Sequence, residues 1–204
     1  MSKIKPLYDK LKKFNNKLDK FNQFGKNIEK EYESDPDLII ISDEDNIKEE
    51  APTCNIVQEL VDYIKNAIIT RNIKYIILHC TATRTDATVS AIQRFWREVR
   101  GWRNPGYHII FTYDKGFTVL ADFNSITNGV AGQNAHSIHL SYIGGIDVNN
   151  NNRAKDTRSE YQRKLIRLAV VELKKQLPHV EIKGHNEFAN KACPSFNVQK
   201  ESFN

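Results

Sequence analysis

From about Asn55 to its end, this chain alternates short apolar runs of strand length with stripes of helical spacing, and that alternation sets the fold class. Ile56, Leu60, Ile64 and Ile68 recur at helical spacing, Lys74–His79 reads as a strand, and Val89, Ile92, Trp96 and Val99 mark a second helix ending near Gly101. Two further strands, His108–Tyr113 and Phe117–Ala121, flank Asp114-Lys115-Gly116, a hairpin signal. Ser137–Ile143 reads as a strand stopped by Gly144-Gly145, and Asn149–Arg153 as a loop. Tyr161–Leu177 reads as a helix, with Thr157 and Glu160 at capping-box spacing ahead of it. After Pro178, a short strand around Val180–Lys183 leads into Gly184-His185. The pattern predicts an α/β domain with a central β-sheet flanked by helices, and the hairpin makes that sheet mixed rather than all parallel.

The first quarter of the chain is of another kind. Over the whole 204 residues the formal charge is +5, but residues 1–30 carry nine Lys against three acids, and residues 31–55 one Lys against nine acids. Ile4, Leu7, Leu11, Phe14, Leu18, Phe21 and Ile28 follow steps of three and four, so residues 1–32 are expected to form a Lys-rich amphipathic helix, starting near Pro6. Packing on its own domain, self-association or docking on a partner through residues 4–28, and attraction to an anionic surface all fit that stripe. Residues 33–53 are acidic, with Pro36 and Pro52, and read as a linker. Within it, Leu38–Asp45 resembles a SUMO-interacting motif, an apolar strand followed by acids, although an ordinary strand accounts for it as well. The domain proper is therefore expected over residues 54–204.

No stretch reaches the about 18 consecutive apolar residues of a membrane span, and residues 1–30 lack the apolar core of a secretory signal. This predicts a soluble protein made in the cytoplasm of the producing cell. Three cysteines, Cys54, Cys80 and Cys193, argue against a disulfide framework and leave thiols for a metal or for burial. Cys80 follows His79 on a strand, so it is expected on the opposite face, in the core.

His79 closes the first strand, His185 follows the last, and Cys193 lies in the loop beyond. Two imidazoles and one thiolate with an open fourth position suit a catalytic zinc ion, and no carboxylate cluster accompanies them to favour magnesium or calcium. Singly, each has an ordinary structural explanation, as a hydrogen-bonded histidine or a small buried cysteine.

Written with their neighbours, the three positions form a longer pattern: His79-Cys80-Thr81-Ala82-Thr83, Gly106-Tyr107-His108-Ile109-Ile110, Ser137-Ile138 with Gly144-Gly145-Ile146-Asp147, and His185-Asn186-Glu187 through Lys191-Ala192-Cys193-Pro194-Ser195-Phe196. In order and spacing this resembles the bacteriophage-lysozyme branch of the type-2 zinc N-acetylmuramoyl-L-alanine amidases, a superfamily that includes the peptidoglycan recognition proteins. The resemblance covers roughly residues 74–198. It implies one zinc ion held by His79, His185 and Cys193, with Tyr107 and Lys191 acting beside it. The implied substrate is peptidoglycan, cut at the amide between N-acetylmuramic acid and L-alanine, as by an endolysin or related virus-encoded enzyme acting on the wall after release. Zinc lowers the pKa of bound water to about 7 and polarises a carbonyl; Lys191 suits the oxyanion and Tyr107 a hydrogen bond or proton relay. Trp102 and Arg103 are candidate substrate contacts, whereas Trp96 falls on its helix's apolar stripe. Glu187 reads as support for His185 or as surface charge, His108 as structural and His179 as a surface loop residue.

The chain departs from the family pattern at His136 and His139, where Asn before the Ser and Gly after the Ile are more usual. The departure leaves the ligand set intact and puts substrate contacts near that strand in doubt. Two other classes of function remain at this level. A non-catalytic peptidoglycan receptor on the same fold would be expected to lack the Cys ligand. A nucleic-acid-binding or partner-binding module would draw on the basic N-terminal helix, but no recognised nucleic-acid motif accompanies that charge.

Overall fold

The computed structural model describes residues 54–150 and 152–203. The expected N-terminal helix, the acidic linker and Leu38–Asp45 lie outside them. Strand β1 (Tyr75–Cys80) is the spine of the domain: parallel β4 (Ser137–Tyr142) lies on one side and parallel β7 (Glu181–Gly184) on the other. Beyond β4 come β2 (Ile109–Phe111), parallel to it, and β3 (Phe117–Val119), antiparallel to β2. The sheet order is β3-β2-β4-β1-β7, mixed as the hairpin predicted. The loop expected over Asn149–Arg153 overlaps a tight ribbon only at Arg153: β5 (Ile146–Asp147) pairs antiparallel with β6 (Arg153–Ala154), and the turn lies between them.

Both faces of the sheet are covered, so β1 reads as a nearly continuous apolar run, and β4 is buried at every residue although its sequence alternates polar and apolar. On one face, Ile76, Leu78 and Cys80 join Ile138, Leu140 and Tyr142 against α1 (Cys54–Lys65) and α3 (Glu160–Gln176), through Leu60, Ile64, Leu165, Ala169 and Leu173. On the other, Ile110 and Ile143 pack on Ile92 and Trp96, carried by α2 (Val89–Arg94) and the π-helical turn Phe95–Val99 that continues it. His79 and His139 belong to this second face, because side chains alternate along β1 and β4.

Three boundaries differ from the sequence reading. Ile68 lies past the end of α1 and is 79% exposed. Val99 leaves the stripe of its helix, because the change from α to π geometry at Phe95 shifts the phase. The cap of α3 is Ser159, not Thr157: Ser159 Oγ accepts the Gln162 N–H and Gln162 Oε1 accepts the Ser159 N–H. Thr157 is engaged elsewhere, its Oγ1 accepting the N–H of Gly145 at 2.8 Å. Gly145 itself, at φ +103°, passes so close to β1 that a Cβ there would lie 2.5 Å from Cys80 Sγ. Among the described residues, no helix is long and apolar enough to cross a membrane.

Candidate metal centre

His79 is the penultimate residue of β1, and His185 follows directly on β7; Leu78 pairs with Gly184, so the two imidazoles leave the carboxyl ends of neighbouring parallel strands side by side. Their Nδ1 atoms stand 3.1 Å apart. Cys193 reaches the same point from the loop after β7, its Sγ 3.7 Å from His79 Nδ1. All three donor atoms lie within 4.8 Å of one another. Two nitrogens and a sulfur around one tetrahedral zinc would stand about 3.3 Å (N to N) and about 3.6 Å (N to S) apart, given Zn–N near 2.0 Å and Zn–S near 2.3 Å. The donor set and its spacing thus fit such an ion.

The loop bearing Cys193 is tied down at several points. Asn186 N–H donates to Cys193 O, Ser195 Oγ donates to Gly145 O, and the buried Tyr142 hydroxyl donates to Pro194 O at 2.8 Å. Cys193 Sγ also accepts the Cys80 backbone N–H at 3.3 Å. Cys80 packs in the core as expected, with its thiol 3.5 Å from Ser195 Oγ. Glu187 holds the turn that presents His185: its carboxylate accepts the Gly184 N–H at 2.7 Å and meets Gln199 and Lys183. Partial burial alone would raise its pKa, but those donors hold it below the ordinary carboxylate range.

Burial keeps the imidazoles neutral. It depresses the pKa of His79 well below the usual value and, together with the Lys191 ammonium, that of His185 to about 4; the neighbouring imidazoles and Lys191 add to the lowering at His79. Lys191 is exposed, yet its charge is felt at the donor atoms. Tyr107 lies against His79, the rings tilted by 39° with centroids 5.0 Å apart, and its hydroxyl donates to Cys80 O at 3.4 Å. Burial raises its pKa, so it stays a protonated donor at neutral pH. Of the two candidate substrate contacts, Trp102 is half-buried, stacks on Trp96 and lies under the Arg100 guanidinium, and Arg103 is exposed. His179 is exposed, and half-buried His136 bonds the Asn72 carbonyl through Nδ1.

His139 is the residue whose placement sequence reasoning missed. The departure at this position bears on the candidate ligands rather than on substrate contacts alone: His139 is wholly buried, with Nδ1 3.0 Å from His79 Nε2. His108 braces it: the His139 N–H donates to His108 Nδ1 at 2.9 Å, and the His108 N–H donates to His139 O. With Nδ1 accepting, His108 carries its proton on Nε2 and donates it to Ser125 O at 3.1 Å, so its role is structural, as expected.

Comparisons with known proteins agree with this arrangement. Residues 69–196 match the family described as N-acetylmuramoyl-L-alanine amidase. The endolysin of Klebsiella phage KP32 is 33% identical over 126 residues, covering 61% of this chain and 82% of that protein; the endolysin of Escherichia phage T7 is 31% identical over the same shares. Among solved structures, the endolysin of the Thermus scotoductus bacteriophage Ph2119 superposes with a TM-score of 0.54 at 24% identity, over 65% of this chain and 84% of that one. Drosophila PGRP-LB superposes with a TM-score of 0.52 at 18% identity, over 62% and 76%. With the match spanning most of the chain and enclosing every residue of the candidate centre, this protein belongs to the N-acetylmuramoyl-L-alanine amidase family.

Proposed function

We propose that the chain is a zinc-dependent hydrolase of peptidoglycan, cutting the amide between N-acetylmuramic acid and L-alanine. The observation that carries this reading is the convergence of His79 Nδ1, His185 Nδ1 and Cys193 Sγ, the number of protein donors that a catalytic zinc ion takes. When bound, zinc supplies a Lewis acid for the scissile carbonyl and an acidified water. The protein's part is to hold two neutral imidazoles and the Cys193 sulfur at fixed positions, which burial and the tied loop accomplish; the neighbouring Cys80 and burial push the Cys193 pKa up, so the thiolate would form only with the metal bound. Lys191 places a positive charge where negative charge builds on the carbonyl oxygen, and protonated Tyr107 offers a hydrogen bond or a proton to the leaving amine. Trp102 and Arg103 are proposed contacts for the glycopeptide. The endolysins named above support the wall polymer as substrate.

The test is to measure bound zinc and the release of stem-peptide amines from peptidoglycan, for wild type and Cys193→Ser. Wild type is expected to hold one zinc ion and to release amines, and the variant to do neither at wild-type level. A wild type that holds zinc and binds peptidoglycan without releasing amines would make the protein a receptor rather than an enzyme.

A further inference from the structure

We propose that His139 is a positioning residue for the metal centre, accepting the Nε2–H of His79 and so holding the His79 Nδ1 lone pair on the metal. This rests on the metal reading of the preceding section. His79 has two ring nitrogens and both are committed: Nδ1 faces His185 and Cys193, and Nε2 faces His139 Nδ1 at 3.0 Å. A neutral imidazole carries one proton, so a ligand through Nδ1 must carry it on Nε2. Only an acceptor can then stand opposite, and His139 Nδ1 is that acceptor. Metal-binding histidines are generally oriented by such a partner on the far nitrogen, commonly a carboxylate or a carbonyl. Here a second imidazole does the work.

Three features show that the pocket is shaped around this ring. Once Nδ1 accepts, the His139 proton sits on Nε2, a buried atom with no hydrogen-bond partner among the described residues. Leucine or phenylalanine would fill the space without that cost, so packing alone does not account for an imidazole here. The loop over the ring is cut to fit as well. A Cβ at Gly129 would lie 2.3 Å from His139 Nδ1 and 2.4 Å from its Cγ, too close for any side chain. From behind, His108 bonds both backbone groups of His139, and the two rings stack with centroids 5.9 Å apart. The ring is therefore held from strand, neighbour and loop, with only its Nδ1 edge turned to His79.

The experiment measures zinc affinity by chelator competition, together with the visible spectrum of the cobalt-substituted protein, for wild type, His139→Leu, His139→Asn and Gly129→Ala. Removing the acceptor in His139→Leu is expected to weaken zinc binding about 10- to 100-fold and to shift the cobalt bands, as loss of an orienting partner does elsewhere. Asn offers an oxygen close to the place of Nδ1 and should recover most of that loss, while Gly129→Ala, which displaces the ring without removing it, should fall between. A folded His139→Leu protein with wild-type zinc affinity and unchanged cobalt bands overturns the proposal. Should the variants not fold, nitrogen-15 NMR of the wild-type zinc protein decides. A His79 with zinc on Nδ1 and a slowly exchanging proton on Nε2, coupled to a nitrogen of His139, supports it; an unprotonated or uncoupled Nε2 overturns it. A wild type that takes up no zinc overturns the metal reading itself and this role with it, an outcome separate from loss in the variants alone.

Discussion

Lys191 shows how much of a site can hang on a side chain that touches little. Its ammonium lowers the pKa of His79 and His185, so Lys191→Met is expected to raise the His185 pKa above its value of about 4 in the metal-free protein, followed by NMR titration. The same variant should keep its zinc and lose about 10²- to 10³-fold in amide cleavage, the usual scale for removing one group that stabilises an oxyanion. Wild-type turnover in Lys191→Met would assign the oxyanion to another group. At this scale the clustering of the candidate ligands was legible because His79, His185 and Cys193 sit in distinctive local strings, and the place of His139 was not. Alternation along Ser137–Tyr142 does place His139 on the face opposite Ile138 and Leu140. Both faces of the sheet are buried, however, and which imidazole it meets depends on the pairing of β4 with β1, a contact distant in sequence.

Gln162 plays the corresponding part between elements. Besides closing the cap of α3, its Nε2 donates to Phe111 O at 3.0 Å and to Ile143 O at 3.1 Å, joining the helix start to the ends of β2 and β4. Gln162→Leu would take this partner from Ile143 O and from the Ser159 N–H, while Phe111 O keeps the Ile143 N–H, and is expected to cost about 3 kcal/mol, at roughly 1–3 kcal/mol for each group left unpaired. Urea unfolding checks it, and a loss below about 1 kcal/mol would mean that water replaces the amide. The strands and helices themselves were readable from apolar spacing. The start of α3 was not, because Thr157 with Glu160 and Ser159 with Gln162 both satisfy the capping-box pattern. The choice is made by Gly145, whose N–H claims the Thr157 hydroxyl. The hydrogen-bonded ribbon of β5 and β6 escaped notice because strands of two residues carry no period.

For the molecule as a whole, burying neutral imidazoles makes stability depend on pH. His108 is pushed down to about 4, chiefly by burial, and His79 and His139 are lowered as well. Between the unfolded value of 6.5 and the lower folded one, the unfolded chain binds more protons, so stability is full above about 6.5 and falls as the pH drops toward 4. Each such imidazole contributes at most about 1.4 kcal/mol per pH unit across its window. The melting temperature of the metal-free protein is therefore expected to decline steeply from pH 6.5 to 4.5, and a flat profile would contradict a neutral buried cluster. At the C-terminus, the Arg158 side chain is 1% exposed, bridges Asp156 and Glu201, and lies 3.3 Å over the Phe196 ring. Arg158→Met is expected to cost about 3 kcal/mol in chemical unfolding, the low end for removing one member of a buried ion pair, since the two carboxylates keep some access to water.

The near-contact between Gly129 and the His139 ring also binds the histories of two positions. A lineage that keeps the imidazole must keep the glycine, whereas one that trades the imidazole for a small residue frees position 129 to drift; the forbidden intermediate carries bulk at both. The two positions should therefore be inherited as a pair, and a library randomised at both is expected to return folded clones with a large side chain at one or the other, never at both together.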